Sequence, residues 1–234
     1  DDVSLSGGTA TFSDKNVGNG KTVTGSGFTL IGADAGNYHL APTTATTLAN
    51  IGARSLTVSA TGVNKVYDGT TTATVSLTSN AVAGDDITPA NTTATFASKS
   101  VGNGKPVNVS GISFSGADSG NYSLANTTAS TTANITQRGL TVSATGINKV
   151  YDGTTAATVS LSTDAVAGDS ISSVFTSAAF ADKNVGVGKT ITVTGISISG
   201  ADAGNYTLLN TTLYTTANIT RRGLTVSAGR VNKV

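Results

Sequence analysis

The stretch GADSGNYSL spans residues 116–124. Nearly the same nine residues occur at 32–40 and 200–208, so the residue numbers of successive copies differ by 84 (116 − 32 = 84 and 200 − 116 = 84). An Asp, an Asn and a Tyr between glycines are typical of a ligand-binding loop or of a structural corner. Recurrence at one fixed interval favours a corner that the fold needs once per module.

The same interval relates two other motifs, which marks the chain as a tandem repeat. KVYDGTT occupies 65–71 and 149–155, and its residue numbers again differ by 84 (149 − 65 = 84). A VGxGK segment occupies 17–21, 101–105 and 185–189. No insertion interrupts this register.

The repeat predicts where the modules begin and end. Two full modules are expected at 56–139 and 140–223. The later part of a first module precedes them at 1–55, and the first strand of a following module occupies 224–234. Two interpretations of these partial modules stay open. The chain is a window on a longer array, which we favour, or it is a fibre subunit that polymerises by strand complementation between copies.

Composition and patterning predict an all-β protein. The chain has 28 Gly and no Met, and only 12% of its residues are charged. Alternating runs such as ATVSL at 73–77 are typical of half-buried strands, and Gly or Asn marks the turns between them. Six or seven short strands per module predict tandem immunoglobulin-like β-sandwiches. Because no flexible linker separates the modules, we expect an elongated rod.

The same composition argues against several functions. A net charge of +1 without a basic stripe disfavours nucleic-acid binding. No apolar run is long enough to insert this segment into a membrane. The absence of Cys excludes disulfides and zinc-thiolate sites.

Residues that could form a catalytic or metal site are also scarce in the sequence. The single His, His39, is replaced by Ser123 and Thr207 in the other copies of its motif, so we expect no enzymatic activity. We expect no cofactor. Calcium is the alternative, because Asp residues occur in turns such as AGDD at 83–86, but these carboxylates are dispersed along the sequence. A Lys–Asn isopeptide cross-link would require Lys99, Asn121 and Asp118 to lie together.

The repeated corner resembles part of a known fold signature. DSGNYSL at 118–124 is similar to the D-x-G-x-Y-x-C signature of immunoglobulin-like sandwiches, with Leu124 at the Cys position. The resemblance implies tyrosine corners, with hydroxyls that bond to backbone, at Tyr38, Tyr122 and Tyr206. The motif also contains Asp34, Asp118 and Asp202. These residues are expected to cap the turn or to pair with Lys15, Lys99 and Lys183, respectively.

Two further sets of residues are singled out. The YDG tripeptides are predicted turns, formed by Tyr67, Asp68 and Gly69 and by Tyr151, Asp152 and Gly153. Phe175 and Tyr214 replace Asn91 and Ser130 of the other full module. If both lie on one exposed face, they are candidate residues for binding a glycan or a host protein.

Taken together, the motifs NKVYDGTTxATVSL, VGxGK, GAD(A/S)GNY(S/T)L and TTANIT resemble the YDG repeat of large bacterial exoproteins, among them filamentous-haemagglutinin-like adhesins. The resemblance implies a structural stalk or spacer of an adhesin-like fibre, located outside the cell or on the bacterial surface. Its expected partners are neighbouring modules of the same or an identical chain. A module that binds glycan or host protein is the alternative.

Overall fold

The computed structural model describes residues 1–230. Within that range the protein is all-β, with 23 strands, three short 3-10 helices and no α-helix. Residues 1–230 contain no helix long and apolar enough to cross a membrane. The 3-10 helices span Ala35–Asn37, Ser119–Asn121 and Ala203–Asn205.

Most of the strands are short, as the frequent Gly and Asn residues predict, although β2 has 14 residues. As far as residue 136 they are β1 (Ser4–Phe12), β2 (Gly18–Ile31), β3 (Ala45–Ile51), β4 (Arg54–Leu56), β5 (Val58–Val63), β6 (Lys65–Val66), β7 (Thr74–Ser79), β8 (Thr88–Ala90), β9 (Thr93–Phe96), β10 (Gly102–Ser110), β11 (Ser113–Ser115), β12 (Tyr122–Leu124) and β13 (Thr128–Thr136). The remaining strands are β14 (Arg138–Leu140), β15 (Val142–Ile147), β16 (Lys149–Val150), β17 (Thr158–Thr163), β18 (Ser172–Val174), β19 (Ser177–Phe180), β20 (Gly186–Thr194), β21 (Ser197–Ser199), β22 (Tyr206–Leu208) and β23 (Thr212–Thr220).

The chain forms two compact units, and neither is continuous in sequence. The first unit contains residues 1–62, 74–95 and 107–131. Among the described residues, the second unit contains 63–73, 96–106 and 132–230. The KVYDGTT turn and the first VGNGK segment after it therefore belong to the second unit, together with residues much later in the sequence.

The first unit contains an antiparallel sheet of β1, β2 and β3. β5 pairs with β7 and β8 pairs with β11, whereas β12 runs parallel to β4. The register of β2 against β3 shifts between Gly18 and Lys21. Gly20 has φ +61° at this bulge, and its N–H donates to Asn50 Oδ1 at 2.8 Å. This VGxGK segment therefore begins a bulged strand.

The second unit contains a four-stranded sheet in the order β16-β23-β20-β19. Alternate residues of β20 and β19 point to one face of this sheet. Ile191, Val193 and Phe180 are buried there, and Ile219 of β23 is buried as well. β15 pairs with β17, β18 with β21, and β14 runs parallel to β22.

A further sheet has the order β6-β13-β10-β9. Its buried residues include Phe96, Val107, Val109 and Ile135. The boundary between the units falls within β9, β10 and β13, so the sequence modules and the compact units do not have the same limits.

The end of the chain differs from its prediction as the first strand of a following module, 224–234. Residues 221–230 form no strand, and 231–234 lie outside the described residues. The counterpart segments β4 and β14 are strands because each pairs in parallel with a later strand, β12 and β22 respectively.

Candidate functional site

The repeated corner is built by the 3-10 helix at Ser119–Asn121 and by Tyr122, which begins β12. Tyr122 is extended, with φ −127° and ψ 154°, and its side chain reaches an earlier loop. There its hydroxyl accepts the Val82 N–H at 2.9 Å and donates to Asp85 Oδ2 at 2.6 Å. The hydroxyl does bond to backbone, but at a distant loop and not within its own corner.

A lysine from an earlier segment bridges two carboxylates at this corner. Lys15 Nζ lies 2.7 Å from Asp85 Oδ1 and 2.8 Å from Asp118 Oδ1. Hydrogen bonds from Lys15 hold the pKa of both carboxyls below the usual range. Asp118 also accepts the Asp86 N–H at 3.0 Å, so it ties the corner to the loop that contains Asp85. Asp118 thus both pairs with Lys15 and orders a turn.

The asparagine of the motif has a separate contact. The Val17 N–H donates to Asn121 Oδ1 at 2.9 Å. Lys15 and Val17 lie together with Tyr122 and Arg54 around a cleft of about 230 Å³. The Asp, Asn and Tyr of the opening motif are therefore all engaged with other parts of the first unit.

The second unit repeats this arrangement around a more deeply buried carboxylate. Asp169, whose side chain is 2% exposed, accepts Lys99 Nζ at 2.9 Å, Tyr206 Oη at 2.7 Å and Tyr67 Oη at 2.9 Å. Burial opposes ionisation of this group, but the hydrogen bonds from Tyr206, Lys99 and Tyr67 outweigh it and lower the pKa of Asp169. Burial and the bond to Asp169 raise the pKa of Tyr206 to about 12. An ionised carboxylate thus accepts from two neutral phenols and an ammonium.

The other corner contacts recur in the second unit as well. The Val166 N–H donates to Tyr206 Oη at 2.8 Å, and the Val101 N–H donates to the buried Asn205 at 3.0 Å. Asp202 accepts the Ser170 N–H at 2.9 Å and lies 3.7 Å from Lys99 Nζ. The motif Asp therefore lies closer to a Lys in the first unit, where Asp118 is 2.8 Å from Lys15, than in the second, where Asp202 is 3.7 Å from Lys99.

The YDG turn completes this site. Tyr67 is 1% exposed, and its ring packs edge to face against Tyr206 with centroids 5.5 Å apart and an interplanar angle of 76°. Gly69 has φ +79°, and a Cβ there would lie 2.7 Å from Val166 Cγ1. The glycine is therefore required both by its backbone conformation and by the close approach of Val166.

A lysine with a largely buried side chain organises the turn itself. Lys65 Nζ contacts Asp68 Oδ1 at 2.8 Å and the carbonyl oxygens of Thr70 and Thr72 at 2.9 Å each. Asp68 also accepts the Thr70 N–H at 2.9 Å. The same contacts recur at Lys149, which binds Asp152 at 2.9 Å. The pKa of Asp152 falls to about 2 because Lys149 and Thr154 donate to it. These contacts explain the residue spacing of the KVYDGTT motif.

Two other copies of the motifs have fewer contacts. At the first corner, Tyr38 donates to Asp1, and Asp34 accepts the Asp2 N–H at 2.8 Å. Among residues 1–230, the Tyr151 hydroxyl makes no hydrogen bond and Lys183 makes no ion pair. Tyr151 is half-buried and Gly153, with φ +81°, has open space beside it.

The candidate binding aromatics lie in different elements: Phe175 is in the connection between β18 and β19, and Tyr214 is on β23. Phe175 is half-buried beside Val159 and Leu161 in a shallow groove. Tyr214 is 72% exposed on β23, opposite Thr192 of β20. The two residues therefore do not form one aromatic cluster.

The structure does not bring the proposed cross-link trio together. Lys99 lies against Asp169, whereas Asn121 binds Val17 and Asp118 binds Lys15. Within residues 1–230, no three His, Cys, Asp or Glu side chains are grouped so that they could hold a metal ion.

The roles of several site residues were not predicted, although Asp85 and Asp169 belong to the AGD turns that were considered only for calcium. Asp85 and Asp169 accept the tyrosine hydroxyls, and Lys65 and Lys149 hold the YDG turns. A signal for all four was present. The two Asp residues end copies of the tripeptide AGD whose residue numbers differ by 84 (169 − 85 = 84), and KVYDGTT includes the lysines.

Comparison with known proteins places these motifs in a family. The model of the YDG domain matches residues 1–46, 52–131 and 136–218. No curated protein and no solved structure matches the chain. The matched segments include every corner and both YDG turns, and together they span most of the sequence. The chain belongs to the YDG domain family.

Proposed function

We propose that this chain is a non-enzymatic structural spacer of a bacterial surface-displayed or secreted adhesin-like fibre. It would consist of sandwich-like repeats with a period of 84, complete at 56–139 and 140–223, with parts of further repeats at 1–55 and 224–234. The chain would act mechanically, by holding another part of the exoprotein at a distance. Its partners are neighbouring repeats.

The observation that carries this proposal is the recurrence of one joint. We define it as the contact of residues 15–17 or 99–101, which lead into a VGxGK segment, and of the YDG tyrosine where one precedes them, with the next AGD loop and GNY corner. The Val17–Asn121 and Val101–Asn205 hydrogen bonds each join residues 104 positions apart. The lysine contacts recur with Asp85 and Asp169. A repeat that meets the following one through the same polar groups each time can be extended indefinitely.

The polar groups of the joint are used for cohesion and are not left available for a ligand. Asp169 already accepts three donors. Among the described residues, no buried side-chain polar atom lacks a partner. Buried groups that are fully satisfied stabilise one arrangement of the chain, which is what a spacer requires.

The spacing of the family matches supports the same repeat length. The second and third matched segments begin at 52 and 136, and these starting positions differ by 84 (136 − 52 = 84). The bacterial surface location rests on the resemblance to exoproteins and is part of the proposal.

Small-angle X-ray scattering on chains that carry one or two additional copies of 140–223 tests the spacer function. A nine-residue strand such as β20 rises about 3.3 Å per residue. We therefore expect the maximum dimension to grow by about 30 Å per added repeat. If the maximum dimension stays nearly constant as repeats are added, the repeats fold back on one another and the spacer proposal fails.

A further inference from the structure

One glycine of each VGxGK segment binds an asparagine of the neighbouring strand through its backbone N–H. The Gly104 N–H donates to Asn134 Oδ1 at 2.7 Å, and the strands that contain them, β10 and β13, are neighbours in one sheet. The same bond recurs at 2.8 Å in the other two copies, from Gly20 to Asn50 and from Gly188 to Asn218. We call the three acceptors, Asn50, Asn134 and Asn218, the clamp asparagines.

Two of these glycines directly follow an asparagine. The dipeptide Asn-Gly occurs at 19–20 and 103–104, whereas the third copy has Val187 before Gly188. Asn19 and Asn103 are exposed, and within residues 1–230 their side chains make no hydrogen bond. Val187 is 89% exposed, so this position faces solvent in all three copies.

An exposed Asn followed by Gly is chemically susceptible to deamidation, because glycine has no Cβ to hinder a close approach of its own nitrogen to the preceding side chain. In that reaction the Gly104 nitrogen loses its proton and bonds to Asn103 Cγ, and the Cγ–Nδ2 bond breaks with release of ammonia. Water then opens the succinimide to aspartate or isoaspartate. The Gly104 N–H must therefore leave its acceptor before the reaction can begin.

We propose that Asn19 and Asn103 are deamidation sites and that the clamp asparagines keep them from reacting. At Asn103 the reacting nitrogen is bound by Asn134. Asn134 is itself fixed, because Asn64 Oδ1 accepts its N–H at 2.7 Å. Opening of β10 from β13 would release the nitrogen and permit the modification, which adds a negative charge to β10.

The clamp also has a structural role of its own. Asn218 makes the bond to Gly188 although Val187 cannot deamidate. Gly188 has φ +61° at a register shift of β20 against β23. The bond therefore satisfies a backbone N–H of the bulge in each copy, and protection follows where an asparagine precedes the glycine. This proposal does not depend on the spacer function.

Incubation of the full chain at mildly alkaline pH, followed by peptide mass spectrometry, measures deamidation at Asn19 and Asn103 separately. Asn134→Ala should speed the reaction at Asn103 about fivefold, the factor that corresponds to the loss of one hydrogen bond. Asn19 in the same molecules should react at its unchanged rate, because its glycine is bound by Asn50. Asn50→Ala should have the reverse effect. Asn134→Asp retains an acceptor oxygen for the Gly104 N–H and should stay slow at Asn103.

A matched control is Ile135→Val, because Ile135 is 1% exposed on the same strand and its truncation weakens the packing without removing the clamp. Urea unfolding compares its loss of stability with that of Asn134→Ala, and circular dichroism establishes that each variant is folded. The proposal is overturned if Asn103 reacts as fast in the unchanged folded chain as in the chain unfolded in urea. It is also overturned if neither alanine variant speeds its own site, or if Ile135→Val speeds Asn103 as much as Asn134→Ala does.

Discussion

Replacing Tyr67 by Phe removes a single oxygen atom from the joint of the second unit. The hydroxyl donates to Asp169 Oδ2 at 2.9 Å and Oδ1 at 3.1 Å. The ring of Phe retains the edge-to-face contact with Tyr206, whose centroid is 5.5 Å away. Asp169 keeps its bonds to Tyr206 and Lys99. The change therefore isolates one hydrogen bond to an ionised carboxylate.

The size of the effect follows from that hydrogen bond. A bond to a charged group contributes about 1.5 to 3 kcal/mol to stability. Phe is easier to bury than Tyr, which offsets part of the loss. We expect Tyr67→Phe to lower the free energy of unfolding of the second unit by about 2 kcal/mol.

Tyr151→Phe is the matched control, because the motif KVYDGTT is the same and no hydrogen bond of the Tyr151 hydroxyl occurs within residues 1–230. Its effect should stay within about 0.5 kcal/mol. Urea unfolding with hydrogen exchange read separately on peptides of each unit measures both variants. Equal effects of the two substitutions would refute the role assigned to the YDG tyrosine.

Three further outcomes are expected. The pKa of Asp169 is lower in the folded protein than in the unfolded chain, where it is about 4. The ionised carboxylate should therefore stabilise the fold fully above about pH 4. This contribution should be lost as the pH falls through the lower pKa of the folded state. The pKa of Tyr206 is raised to about 12 in the folded protein, so the neutral phenol stabilises the fold below about pH 10 and this contribution should be lost between about pH 10 and 12. Thermal melts over the acid and the alkaline range measure both effects. Lys65→Met should destabilise the YDG turn by about 1 kcal/mol or more, seen as faster exchange at Thr70 and Thr72. Gly104→Ala, at φ +59° with open space for a Cβ, should cost about 1 to 2 kcal/mol. Gly116→Ala should cost more in the same urea assay, because its Cβ would lie 2.0 Å from the Asp86 carbonyl oxygen.

The repeat in the sequence made much of this structure predictable. Once the copies of each motif were aligned, the strand patterns, the turns at glycines and the importance of the Asp and Tyr residues followed from local rules. Pairing of the motif Asp with a Lys was among the predicted alternatives, but the partner of Asp118 is Lys15 at 2.8 Å and not Lys99, which lies 3.7 Å from Asp202. Val58, Val109 and Ile135 follow the same alternation, and all three are buried.

The partners of the tyrosines were not predictable in the same way. Tyr67 and Asp169 are 102 residues apart, and no local pattern indicates which carboxylate accepts a given hydroxyl. The analogy with a tyrosine corner pointed to nearby backbone, but Tyr122 bonds to Val82, 40 positions earlier. Residues 224–230 have the alternation of a strand but form no strand, because alternation indicates which residues can pair and not whether they do.

A double-mutant cycle between Tyr67→Phe and Asp169→Asn tests the central claim, that the YDG turn and the later corner form one joint. The two residues touch only if residues 63–73 pack against the segment that contains Asp169. The account predicts a coupling free energy of about 1 kcal/mol or more. If the losses in unfolding free energy of the two single variants sum to that of the double variant within about 0.5 kcal/mol, the turn and the corner are independent. That result would contradict the account.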